Sequence, residues 1–142
     1  MDYLILIVSL VITFLVRRQI LYWKIITVLG FHFETPEMYM RSPNTYNCIS
    51  WLLVFGLLGV VSWFAEFRLW IRTVVFLITV LIADMEGKLK ATDKYRQILR
   101  EMLEDGDLDA EKREQVLRDL TKSTSELLRD RYRIQRIISG KF

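Results

Sequence analysis

The feature that most constrains this chain is where its charges fall. Of 20 basic and 17 acidic side chains in 142 residues, only ten precede Asp84; the other 27 crowd into residues 84–142. A water-soluble domain interleaves charged and apolar positions throughout, because every helix needs one wet face and one dry face. Long uncharged runs followed by a charged segment instead indicate a membrane part and a soluble part. The expected fold class is therefore an all-α membrane protein. Residues 1–84 form the membrane domain and residues 85–142 a cytoplasmic helical tail.

Three transmembrane helices are expected, over about 3–16, 48–65 and 69–83, with an interfacial helix over about 20–33. Residues 48–65 carry no charged side chain, and 18 helical residues rise about 27 Å, near the hydrocarbon thickness. Ser42 and Pro43 read as an N-cap and a first-turn proline ahead of that span. Residues 69–83 are apolar apart from Arg72, Thr73 and Thr79. Between the two runs, Glu66, Phe67 and Arg68 lie between Trp63 and Trp70. Tryptophans favour the membrane–water interface, so the charged triplet reads as the tip of a helical hairpin. Residues 3–16 are short for a span, but Arg17 and Arg18 can snorkel to the surface while Tyr22 and Trp23 supply interfacial rings. Asp2 and the arginines sit on the wrong sides for a signal peptide. Residues 20–33, interrupted by Lys24, Thr27 and His32, read as lying on or re-entering the membrane.

Basic residues near span ends set the orientation. Arg17, Arg18, Lys24 and Arg41 flank the first connection and Lys88, Lys90, Lys94 and Arg96 follow the last span, so these belong inside. The expected topology is N-terminus out and C-terminus in, and the expected location is a bacterial inner membrane with the tail in the cytoplasm.

The tail itself reads as a helical hairpin or coiled-coil-like element. Leu89, Tyr95, Leu99 and Leu103 make one stripe ending at Glu104, and Asp105, Gly106 and Asp107 make a turn. A second helix, capped by Asp107 and ending at Ser139–Gly140, carries a seven-residue pattern along Leu117, Leu120, Thr124, Leu127, Arg131, Ile134 and Ile138. Its spacings of 3 and 4 are those of a helix-pairing seam.

Few residues suggest chemistry. Asp105, Asp107 and Asp109 alternate as in a calcium loop, but Ala110 and Val116 stand where that loop needs glycine and glutamate. His32, Glu34 and Glu37 lack the i, i+4 spacing that puts two metal ligands on one helical face. The single cysteine, Cys48, allows no internal disulfide or cysteine-based zinc cluster and is expected to face lipid or a neighbouring helix. No nucleophile–base arrangement or phosphate loop occurs, so no enzyme activity, cofactor or metal is expected. A net charge of +3 is too small to imply nucleic acid. The remaining candidates concern packing and surfaces. Gly56, Gly59 and Ser62 leave a notch for close helix approach. Glu66, Arg68 and Arg72 are expected as hairpin-tip charges. Arg129, Arg133 and Arg136 form a basic patch for anionic lipid or an acidic partner.

These readings favour a non-enzymatic structural or assembly subunit of a larger membrane complex, with lipids and other subunits or copies of itself as partners. Three spans with N-out, C-in topology and a charged tail also resemble the layout of three-span phage holins, over residues 1–84 in topology alone. That resemblance implies a second reading, a homo-oligomeric pore. The apolar character of residues 48–65 argues against it. A membrane-tethered regulator that recruits a soluble partner through its tail is the third.

Overall fold

The computed structural model describes residues 2–30, 43–64, 68–106 and 108–138. Five helices account for nearly all of them: α1 (Asp2–Gly30), α2 (Pro43–Phe64), α3 (Leu69–Glu104), α4 (Ala110–Thr121) and α5 (Thr124–Ile138). No strand occurs among the described residues. One stretch, Tyr3–Leu29 in α1, is long and apolar enough to cross a membrane, and Cys48–Trp63 in α2 is a shorter apolar stretch.

Three sequence expectations are corrected. The short span 3–16 and the separate helix 20–33 are one 29-residue helix as far as Gly30; residues 31–42 lie outside the described residues. Nothing between Arg17 and Gly30 breaks a helix, and an inward stripe at Ser9, Thr13, Arg17, Leu21, Ile25 and Leu29 is buried throughout. The span 69–83 and the first tail helix are likewise one helix of 36 residues. Its buried stripe runs Arg72, Phe76, Val80, Ala83, Gly87, Ala91, Tyr95, Leu99. Composition changes at Asp84, but the period of the buried face does not, and burial keeps the helix intact.

The third correction concerns the tail seam, because the expected second tail helix is two helices, α4 and α5. They part at Lys122 and Ser123, between Leu120 and Thr124 of the seven-residue pattern. Ser123 and Glu126 form a capping box that starts α5. The Glu126 carboxylate accepts from the Ser123 backbone N–H and hydroxyl at 2.7 Å each, and the Ser123 hydroxyl accepts from the Glu126 N–H at 3.3 Å. The hydrogen bonds from Ser123 hold the Glu126 carboxyl below its ordinary pKa. Of the proposed seam, Leu127, Arg131 and Ile134 are buried, Leu120 and Thr124 half-buried and Leu117 exposed; the Ile138 side chain lies outside the described ones.

The chain divides into two compact units, Met1–Tyr22 with Arg41–Gly87, and Trp23–Met40 with Lys88–Phe142. In the first, Val54, Val61, Phe76 and Val80 form the apolar core, with Ile5, Leu6 and Leu10 against it. Contacts fix the helix directions there. Arg17 and Arg18 of α1 reach Asp84 and Glu86, and Gly87 lies against Arg18 and Leu21, so α1 and α3 run parallel. Val61 of α2 meets Arg72 of α3, while Ser50 and Asp84 share Arg17, so α2 runs opposite to both. In the second unit the core comprises Ile25, Ile26, Val28 and Leu29 from α1, Ala91, Tyr95 and Leu99 from α3, Val116 from α4, and Leu127 and Ile134 from α5. Residues 23–29, expected at a membrane surface, are therefore largely core of this unit.

Candidate functional site

Two polar centres stand out, one in each unit. In the first, the Arg17 side chain of α1 is only 7% exposed and is enclosed by partners from the other two helices. Its Nε donates to Asp84 Oδ1 at 2.7 Å and its Nη2 to Asp84 Oδ2 at 3.1 Å, a bidentate pair. Its Nη1 donates to Ser50 Oγ at 2.8 Å, and the guanidinium lies 4.6 Å from the centre of the Trp51 ring. Arginine suits such a place because its planar fork matches a carboxylate edge to edge and its weakly hydrated face stacks on an aromatic ring. A buried guanidinium is tolerable only when its donors are met, and here α2 and α3 meet them. The network ties three helices at one level. Gly87 lets α1 and α3 come together beside it, since a Cβ there would stand 2.9 Å from the Arg18 carbonyl oxygen.

Arg17, expected as a snorkelling flank, is instead paired with Asp84. The partners are 67 residues apart, so no local spacing links them. The available signal was a polar stripe at four-residue intervals, Ser9, Thr13 and Arg17, in which Ser9 and Thr13 interrupt an apolar run.

Arg72, expected at the hairpin tip, is buried. Its Nη1 donates to the Val61 carbonyl at 3.2 Å. Val61 opens the last turn of α2, where carbonyls lack intrahelical donors and a cation is favoured. Arg72 thus closes the connection between α2 and α3. Arg68 is exposed, and its carbonyl accepts from the Ile71 and Arg72 N–H groups; Glu66 lies outside the described residues. Gly56 and Gly59 are exposed with nothing within 4 Å of a Cβ built on either, and Ser62 is half-buried. No described residue fills the notch they leave. Cys48 is exposed.

The second centre is a cavity of about 320 Å³ in the second unit, with Leu29, Leu127 and Ile134 as its apolar part. At its acidic end the Tyr95 hydroxyl donates to Asp119 Oδ2 at 2.9 Å. Lys122 donates to Asp119 Oδ1 at 2.5 Å and to Asp130 Oδ2 at 2.7 Å. Burial and the neighbouring Asp119 charge push the Tyr95 pKa well up. Burial alone would lower that of Lys122, but its bonds to Asp119 and Asp130 outweigh burial and the net direction is up. Gln115 and Arg133 complete the rim. The proposed basic patch is split: Arg129 and Arg133 are exposed, and the Arg136 side chain lies outside the described ones. Among the described residues no group of three or more His, Cys, Asp or Glu could hold a metal ion; His32, Glu34, Glu37 and Asp107 are not among them. Asp105 and Asp109 belong to the link before α4, where Gly106 has φ +73° and the Arg113 N–H bonds to the Asp109 carbonyl.

No protein-family model, no curated protein and no solved structure matches the chain.

Proposed function

We propose that the chain is an integral membrane protein with a non-enzymatic, structural role: a small subunit whose first unit is embedded in the bilayer and packs on other membrane helices. The observation that carries this reading is the surface of the first unit. Leu52, Phe55, Trp63 and Trp70 are each more than 60% exposed, as are Tyr3 and Leu4, while Ser9, Thr13, Arg17 and Ser50 are buried. A surface so apolar, around an interior that buries polar groups among its apolar ones, is stable in lipid and an aggregation hazard in water. The alternating directions of α1, α2 and α3 support a three-pass arrangement. The basic flanks support N-out, C-in topology with the tail in the cytoplasm of a bacterial inner membrane. The notch at Gly56 and Gly59 lies on this apolar surface and suits close approach of a partner helix. A pore of several copies is the weaker alternative, because the polar stripe of α1 is buried within the first unit rather than turned outward.

Purification in a mild detergent followed by native mass measurement tests the proposal. The expected result is a fixed stoichiometry with a second protein that is lost in the variant Gly56→Leu/Gly59→Leu while membrane insertion persists. A ladder of this chain alone, with liposomes made leaky by the purified protein, would overturn it in favour of the pore. Topology is checked separately with Cys48→Ser carrying Phe67→Cys or Asp105→Cys. Labelling at position 105 from outside intact cells would contradict the orientation.

A further inference from the structure

We infer that the cavity of the second unit is a binding site for a small zwitterion, an ammonium and an anionic group joined through a short apolar body. The cavity, at about 320 Å³, lies at the lower end of the range for small-molecule sites. Its make-up, an apolar wall with a few convergent polar groups, is the usual one.

The charges define the ligand. Asp119 and Asp130 share the single ammonium of Lys122, which leaves one net negative charge at that end. Both Asp119 oxygens are occupied, by Tyr95 and Lys122. Asp130 gives only Oδ2 to Lys122, so its Oδ1 is the acceptor open to a second ammonium. Three residues further along α5 stands Arg133, which lines the same cavity, is exposed and makes no ion pair with a described residue. Side chains three apart on a helix lie roughly 5–6 Å apart at their Cβ atoms. Asp130 and Arg133 nevertheless do not pair directly. A molecule with both charges close together fits between them, ammonium on Asp130 and anion on Arg133. Its apolar part then rests on Leu29, Leu127 and Ile134, which are buried elsewhere but open to this cavity. A cation alone leaves Arg133 unmatched, and an anion alone meets the negative end.

A free amino-acid-like solute and a zwitterionic lipid headgroup share this chemistry. The test uses full-length protein in maltoside detergent and calorimetric titration with four probes: leucine, 3-methylbutylamine, 4-methylpentanoate and dihexanoyl phosphatidylethanolamine. Leucine is expected to bind more tightly than the amine or the acid. Asp130→Asn should weaken leucine and the amine roughly tenfold and spare the acid. Arg133→Gln should weaken leucine and the acid about threefold and spare the amine. Binding of the phosphatidylethanolamine but not leucine, weakened by the same two variants, supports the same site with lipid as its source. Binding of none of the four probes overturns the inference, as does equal binding to wild type and both variants. If Asp130→Asn fails to fold, judged by circular dichroism, Arg133→Gln still decides, because no described ion pair is lost with it.

Discussion

The two units solve opposite packing problems with the same helices. Of the 24 large apolar side chains that are exposed among the described residues, 20 belong to the first unit and four, Trp23, Leu89, Leu117 and Tyr132, to the second. The first unit turns oil outward and buries Arg17, Arg72, Ser50, Ser9 and Thr13; the second buries Tyr95, Leu99, Val116 and Leu127 and leaves most of its charges wet. In lipid, apolar surface gives helices no reason to prefer one another, so polar contacts and close backbone approach must select the neighbours. In water, apolar burial does most of that work. On the membrane reading proposed above, the Arg17–Asp84–Ser50 network and the Ala91–Tyr95–Leu99 stripe would be equivalent devices for different solvents.

The largest expected effect tests the polar device. Asp84→Leu leaves the Arg17 guanidinium buried without its carboxylate and should cost about 3–5 kcal/mol. The double variant Arg17→Met/Asp84→Leu should recover most of that loss, since an apolar pair of similar size leaves no charge behind. Thermal unfolding in detergent checks both. A double variant as unstable as the single one would show that the network does not act as a pair.

Next comes the apolar device. Leu99→Ala, at a fully buried position, should cost about 2–4 kcal/mol through lost transfer energy and the cavity left behind. Leu117→Ala, at a position 50% exposed, should stay within about 0.5 kcal/mol. Equal losses at both sites would restore the continuous seam that α4 and α5 exclude.

The glycines sharpen the contrast within the first unit. Gly87→Ala sets a Cβ 2.9 Å from the Arg18 carbonyl oxygen and should destabilise by about 1–3 kcal/mol, because backbone must move. Gly59→Ala meets nothing within 4 Å and should raise helix stability by up to about 1 kcal/mol. A loss at Gly59 in the isolated chain would mean that its notch is already filled.

The smallest effect belongs to the start of α5. The Glu126 pKa is lowered by its hydrogen bonds from Ser123, so its contribution is present above the unfolded glutamate pKa and is lost as pH falls through the lower, folded one. Amide exchange at Ser123 should accelerate across that interval. Glu126→Gln should flatten the dependence; an unchanged profile would sink the capping role.

Much of the architecture was legible in the residues. The helical content, the start of α2 at Pro43 and the end of α3 at Glu104 are all local, set by backbone propensity and side-chain reach within one turn. The capping box of Ser123 with Glu126 is equally local, but the expected seven-residue pattern runs straight across it and so passes over the break at Lys122.

Segregated charge by itself determined that residues before Asp84 are predominantly apolar helix and residues after it predominantly amphipathic helix, because those choices follow from how water treats neighbouring side chains. Tertiary structure alone decided that α1 and α3 run unbroken past the change in composition, that Arg17 meets Asp84, and that Asp119, Lys122 and Asp130 gather around one cavity. The first outcome rests on burial along one continuous helical face, and the other two bring together groups from different elements. Their energies come from contacts between elements, which local composition does not encode.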